Sequence, residues 1–217
     1  MNRAPRQRLS AAVLTVLTVL AALCAPAALA GMVTVDVTTR SAATAADTVI
    51  VFDPLDAAPG PGHETAVIDQ VNKRFVPRVS VVRTGTAITF PNSDRIRHQV
   101  YSFSPAKTFT LKLYAGSPHT AVIFDQAGLV ILGCNIHDSM LAYVGVVDSP
   151  YFAKLGDSGT ATLNLPAGRY RLRTWHPNAI SPVPAREISV TTAPLNIPLT
   201  IDVDATATAA AVAAWPE

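Results

Sequence analysis

The sequence predicts an all-β protein, on three observations. Short runs rich in Val, Ile, Thr and aromatic residues recur between clusters of Gly, Pro, Asp and Ser, at the spacing of consecutive strands and turns. Beyond the first 30 residues, no long stretch carries apolar side chains at helical spacing. The 17 prolines are spread along the chain, and each removes a backbone donor that a helix interior or a central strand needs.

Taken in order, the chain begins with Arg3, Arg6 and Arg8, an apolar run from Ala11 to Leu23, and the small-residue site Ala28-Leu29-Ala30. This is the pattern of a secretory signal over residues 1–30, cleaved near Ala30-Gly31, and it predicts a periplasmic or secreted protein. The apolar run is short for a membrane span, and no later stretch approaches the length of one. Cys24 leaves with the signal; it follows Leu23, where a lipoprotein site has a small residue. Without the signal, 14 Lys and Arg face 15 Asp and Glu, so the sequence pI near 8.7 belongs largely to the removed segment. Bulk charge then gives no support for a nucleic-acid or anionic-lipid partner.

The strands follow. "MVTVDVTT" and "DTVIVFD" occupy residues 31–60, ahead of the Pro/Gly linker "DAAPGPGHE" at 56–64. Residues 63–150 hold "VSVVRTGTAITFPN", "HQVYSF", "TFTLKLY", "TAVIFDQAGLVILGC" and "LAYVGVVD", about the length of one β-sandwich. A turn cluster, "DSPYFAKLGDSG" at 148–159, precedes the expected hairpin "TATLNLPAGRYRLRTW" and the strands "EISVTT" and "LNIPLTIDV", which complete residues 151–203. The Ala/Thr-rich residues 204–217, "DATATAAAVAAWPE", are expected to form a disordered tail. The 151–203 stretch resembles small transthyretin-like or carboxypeptidase-regulatory β-domains. Such domains usually begin with two strands like those of residues 31–60. Two arrangements are compatible with this: the 63–150 segment inserted into an outer β-domain, or all strands packed contiguously in one larger sandwich.

Chemistry concentrates in "GCNIHDSM", residues 133 to 140. In an exported protein structural cysteines come in pairs, and Cys134 is left alone once the signal is gone. A lone Cys is either a small buried hydrophobe or a metal ligand shielded from oxidation by its ion. Cys134, His137 and Met140 supply a soft thiolate, an imidazole and a weak thioether. A set of two His, one Cys and a long axial Met is that of blue copper, whereas zinc rarely recruits a thioether. One histidine is missing from this loop, and the candidates are His63, His98, His119 and His176. His98 begins a strand after the turn in "FPNSDRIRHQVYSF", at a sandwich rim where the loop 134–140 can meet it without distortion.

The segment "RFVPRVSVVRTGTAITFPNSDRIRHQV" resembles the first half of a plastocyanin-type cupredoxin, through Phe75, Pro77, Gly85, Thr86, Asn92, Asp94, His98 and Val100. The second half is similar to amicyanins, whose short C-x2-H-x2-M loop is met by Cys134, His137 and Met140. The likeness covers about residues 66 to 148, and the whole chain resembles exported cupredoxin-domain proteins of the methylamine utilisation type. The resemblance implies a Greek-key cupredoxin β-sandwich beside the additional small β-sandwich. It implies one type 1 copper ion held by His98, Cys134, His137 and Met140, and one-electron transfer rather than catalysis. It also implies that the amide after the first histidine, at Gln99, points at the thiolate, and that His137 is the exposed edge by which electrons leave. Asn92 and Asp94 are expected to fix a turn rather than touch metal. Arg95 and Arg97 flank His98 and either favour an acidic partner or are simply solvated. The expected partner is a protein: a c-type cytochrome, a dehydrogenase or an oxidase. The protein itself is expected to be a monomer.

Other residues point to plainer roles. His176 in "TWHPNA" is expected to be structural, and His63 and His119 lie in a linker and a loop. A Cys nucleophile with a His three residues later on one tight loop lacks the separate orienting group that a hydrolase needs. No phosphate-binding Gly loop or HExxH motif is present. Two further classes remain open: a copper carrier or sequestering protein using the same ligands, and a structural or adhesive β-protein without metal.

Overall fold

The computed structural model describes residues 30–206, except 42, 59, 61 and 119, together with residues 215 and 216. The expected signal peptide lies outside the described residues except for Ala30, and Cys24 and His119 lie outside them too. In chain order the strands are β1 (Ala30–Thr39), β2 (Val49–Pro54), β3 (Thr65–Val67), β4 (Asp69–Gln70), β5 (Phe75–Val76), β6 (Val79–Arg83), β7 (Thr86–Thr89), β8 (His98–Ser104) and β9 (Lys107–Tyr114). They continue with β10 (Val122–Phe124), β11 (Gly128–Gly133), β12 (Leu141–Val147), β13 (Phe152–Lys154), β14 (Thr160–Pro166), β15 (Gly168–Trp175), β16 (Arg186–Val190) and β17 (Leu195–Ile201). The fold is all-β, as the sequence predicts, and among the described residues no helix is long and apolar enough to cross a membrane.

Four sheets account for nearly all of these strands. A five-stranded sheet in the order β6-β12-β11-β8-β9 faces a three-stranded sheet β10-β7-β3, and the chain passes back and forth between the two as it runs from β6 to β11. β6 lies parallel to β12 and β3 parallel to β7, pairings that need crossovers rather than hairpins, while β8-β9 and β11-β12 are antiparallel neighbours in sequence. The first two and last five strands pair only among themselves, in a four-stranded sheet β13-β2-β15-β16 and a three-stranded sheet β14-β1-β17. There β1 runs parallel to β17, from Val33 beside Leu195 to Thr39 beside Ile201.

Side-chain alternation stacks these sheets. Between the first two lies a core containing Phe75, Ile88, Phe90, Val100, Phe124, Leu132 and Val144. Between the second pair lies another, with Val33, Val35, Ile50, Phe52, Leu165 and Leu172. A third apolar layer, with Val49, Val51, Val79, Tyr143, Val147 and Trp175, joins the five-stranded sheet to the four-stranded one. The period of two explains how single strands serve two layers. In β12, Ala142, Val144 and Val146 face the first core while Tyr143 and Val147 face the joining layer. In β2, Ile50 and Phe52 face one way and Val49 and Val51 the other. Strands buried on both faces must be apolar throughout, which is why "LAYVGVV" and "VIVF" lack polar alternation. Each fully buried large side chain in these layers contributes about 1.5–3 kcal/mol.

The segment expected to be a disordered tail returns to this joining layer at its described end. Trp215 packs on Trp175 with ring centroids 5.4 Å apart, and Arg173 donates to the Pro216 carbonyl at 2.8 Å. The slot exists because residue 145 is glycine: a Cβ there would lie 2.2 Å from the Trp215 ring. Composition made the Ala/Thr run look solvated, while one indole supplies enough apolar area to dock.

Candidate metal centre

Three of the four predicted ligands continue the inward rows of their strands. In β8 the inward residues are even-numbered, so His98 stands in line with Val100 and Ser102 and is fully buried. In β11 the row Val130 and Leu132 runs on to Cys134, which is 4 % exposed. In β12 the row Ala142, Val144 and Val146 extends back to Met140, also buried in the first core. β11 and β12 are a hairpin with Gly133 opposite Leu141, so residues 134 to 140 are the loop that closes it. β8 lies beside β11, with Tyr101 opposite Gly133. Ordinary strand geometry therefore brings Cys134, Met140 and His98 to the same end of one sandwich.

His137 comes from the loop itself, which is tightened by a bond from the Met140 amide to the His137 carbonyl at 3.0 Å. One donor atom from each of His98, Cys134 and His137 lies within 4.8 Å of the others, close to the span of two metal-ligand bonds of about 2.0–2.3 Å. The two imidazole rings meet edge to face at a centroid distance of 5.0 Å. Nδ1 of His98 and Nδ1 of His137 are both buried without a hydrogen-bond partner. Two orphaned ring nitrogens are costly unless something fills the gap between them. Of the set, His98 is sealed from solvent and His137 is partly exposed. His63 and His176 are not part of it. His176 is buried in the outer β-strands, where its Nε2 donates to the Ala46 carbonyl at 3.1 Å and its Nδ1 accepts from the Asn178 amide.

The carboxylate that orients His98 was not foreseen. Asp94, read from sequence as a turn former, accepts a 2.7 Å hydrogen bond from His98 Nε2. A carboxylate only accepts, so the ring proton sits on Nε2 and the lone pair on Nδ1, the tautomer a ligand needs. Asp94 also accepts from the backbone amides of Asn72 (2.6 Å, on Oδ1) and Lys73 (2.8 Å, on Oδ2), in a turn where both residues have positive φ. Burial raises its acidity constant's pKa, but the bonds from Lys73, His98 and Asn72 outweigh burial and hold the carboxyl below the usual carboxylate range. The only sequence signal for this bond was the four-residue spacing from Asp94 to His98, which in a turn says nothing of direction.

Asn92 has the turn-fixing role. Its amide group donates to the carbonyls of Ile96 and Tyr114, both at 2.9 Å, and its own carbonyl accepts from the Asp94 amide. Gln99 accepts on its side-chain carbonyl from Asn135 Nδ2 at 2.9 Å, tying β8 to the ligand loop. Behind the site, half-buried Tyr114 donates to the Phe90 carbonyl and accepts from Gln70, and desolvation pushes its phenol up to about 12. Arg95 and Arg97 are exposed beside the buried histidine.

No protein-family model matches this chain, and no curated protein matches it. Among solved structures it is similar to a purple cupredoxin from Nitrosopumilus maritimus, at 19% identity over 37% of this chain and 98% of that one, with a TM-score of 0.33. It is similar to pseudoazurin from Methylobacterium extorquens AM1, at 22% identity over 40% of this chain and 77% of that one, with a TM-score of 0.34. It is also similar to a Cu(I) amicyanin variant, at 19% identity over 45% of this chain and 97% of that one, with a TM-score of 0.34.

Proposed function

We propose that this chain is an exported, periplasmic type 1 copper protein that passes single electrons between protein partners and is not an enzyme. The observation that carries this reading is the convergence of Cys134 with two histidines whose buried Nδ1 atoms have no other partner. The donor set fits the ion: a thiolate and two imidazoles, with the thioether of Met140 buried at the end of the same loop, suit copper better than zinc or a hard cation. His98, Cys134, His137 and Met140 would hold one ion. When bound, copper supplies a one-electron couple between Cu(I) and Cu(II).

The chain's own part is rigidity and access. Cys134 and Met140 are anchored where β11 ends and β12 begins, so the loop between them has little freedom, and Asp94 fixes the tautomer and tilt of His98. The buried face of His98 keeps water out, and the partly exposed His137 offers the edge by which an electron enters or leaves. A c-type cytochrome, a dehydrogenase or an oxidase would meet that edge. Membership of the methylamine utilisation type belongs to the same proposal and has the sequence resemblance as its support.

The test is copper titration. Stoichiometric Cu(II) is expected to give an intense thiolate charge-transfer band in the visible and a narrow copper hyperfine splitting, both abolished in Cys134→Ala. A colourless protein that takes only Cu(I) would favour a carrier instead. No stoichiometric uptake, with Cys134→Ala folding normally, would overturn both metal readings.

A further inference from the structure

We infer that the cavity beside Asp94 is a docking pocket for an acidic side chain of a protein partner, with Lys73, Arg74, Arg95 and Arg97 as its electrostatic face. The partner meant is the redox partner of the proposed copper site, and to that extent the inference rests on that reading.

The cavity is about 320 Å³ and is lined by Asn72, Lys73, Asp94, Arg95 and Ile96. It joins two turns that Asp94 ties together, its carboxylate holding the amides of Asn72 and Lys73 on one side and His98 on the other, alongside the bonds of Ser93 to Asp69 and Gln70. That carboxylate is therefore already spent on three donors, and the charge the cavity offers to a visitor comes from Lys73 and Arg95. Residues 64–147 carry eight Lys and Arg against five Asp and Glu. Several of these cations are engaged: Arg83 with Glu64, Lys107 with Asp125, and Arg78 with Asn178 and the Tyr143 ring. Lys73, Arg74, Arg95 and Arg97 are exposed and have no ion-pair partner among the described residues, so the surplus charge gathers on the two turns around this cavity.

Apolar side chains make the patch a protein surface rather than an anion trap. Ile96, in the cavity wall, is 42 % exposed, Val76 on β5 is 49 % exposed, and Ile136 beside His137 is 48 % exposed. Exposed aliphatic groups among unpaired cations match a partner patch with acidic groups around an apolar centre. A carboxylate seated between Lys73 and Arg95 would be one side chain, Asp94, away from His98. The partner is thereby held over the end of the sandwich where His98 and His137 meet.

Titration of the metal-free protein with a blocked hexaglutamate peptide, followed by amide NMR shifts, tests this. The amides of Asn72, Lys73, Arg95 and Ile96 are expected to move, with affinity falling about tenfold between 20 and 200 mM salt. The double variant Lys73→Gln/Arg95→Gln is expected to lose about tenfold in affinity, and Lys112→Gln, an exposed cation on β9, to lose none. No binding at low salt, or an equal loss in Lys112→Gln, would overturn the pocket. Saturable binding of acetate with the same shifts and equal affinity would overturn the protein partner in favour of a free anion. Tighter binding to phosphatidylserine vesicles than to the peptide would overturn it in favour of a lipid surface. The titration needs no copper, so a failure of metal uptake would leave its result standing.

Discussion

Replacing Asp94 with asparagine tests the structure at the point where fold and site share one group. The two carboxylate oxygens accept three N–H donors: Asn72 on Oδ1, and Lys73 and His98 on Oδ2. An amide of the same shape has one acceptor and one donor end. With its oxygen toward Lys73 and His98, its NH2 opposes the Asn72 amide and one bond becomes a repulsion. With its oxygen toward Asn72, the NH2 faces Lys73 and His98, and the imidazole can satisfy it only by moving its proton to Nδ1, the nitrogen that has to be free for a ligand. The first orientation is the cheaper. It costs one charge-assisted hydrogen bond in the solvent-exposed turn, about 1.5–3 kcal/mol, and weakens the other two by removing the charge that assists them. The expected loss in Asp94→Asn is therefore about 2–3 kcal/mol of metal-free stability, read from urea unfolding. Copper affinity, measured by competition with a Cu(I) chelator, is expected to fall about 10- to 100-fold. Metal-free stability within about 0.5 kcal/mol of the parent, with unchanged copper affinity, would refute the assignment of Asp94 as the group that positions His98.

Three further substitutions probe the layers around the site. Phe90→Ala empties a position packed by Phe109 and Phe124, with ring centroids 5.7 and 6.5 Å away, and is expected to cost about 3–5 kcal/mol in denaturant unfolding; a loss below about 1 kcal/mol would mean that this core is not close-packed. Gly145→Ala places a methyl group against the Trp215 ring and is expected to expel it, with a red-shifted tryptophan emission matched by truncation after residue 206; unchanged emission would show that the indole does not occupy that slot. His176 is held neutral, chiefly by burial, with Arg78 adding to the effect and Asp47 and the bond to Ala46 opposing it, so its pKa in the fold lies below the ordinary value of 6.5. The unfolded chain then takes up the proton first, and stability present above about pH 6.5 is expected to fall with pH until the folded value is passed. His176→Gln should flatten that slope, and a slope equal to the parent's would assign the loss to other groups.

The candidate donor set was legible because it rests on chemistry and on a period of two. A lone thiol after export, an imidazole and a thioether on one short loop, and a histidine at a strand start define a donor set before any distance is known, and the inward rows of β8, β11 and β12 then deliver three of the four to one end of the sandwich. Asp94 was legible only as a turn residue. Its bond to His98 depends on a rotamer and on the β4–β5 turn folding against it, two long-range facts that local sequence does not encode. Trp215 escaped for a similar reason, since its slot is made by a glycine 70 residues earlier.

The outer sheets contribute to the site through a strand that local pattern reading recognises but cannot place. "LAYVGVV" reads as a buried strand from its composition, yet nothing in it says that one face will meet the core beneath the candidate site and the other the sheet built from β2 and β15. That placement matters mechanically. Met140 immediately precedes β12, and β12 is fixed on one face by Phe90's core and on the other by Val49, Val51 and Trp175. A strand packed on both faces can shift only by disturbing two close-packed layers at once. The ligand loop is therefore anchored at its β12 end by the whole stack of sheets, which gives the outer strands a part in keeping the site rigid without contributing a ligand to it.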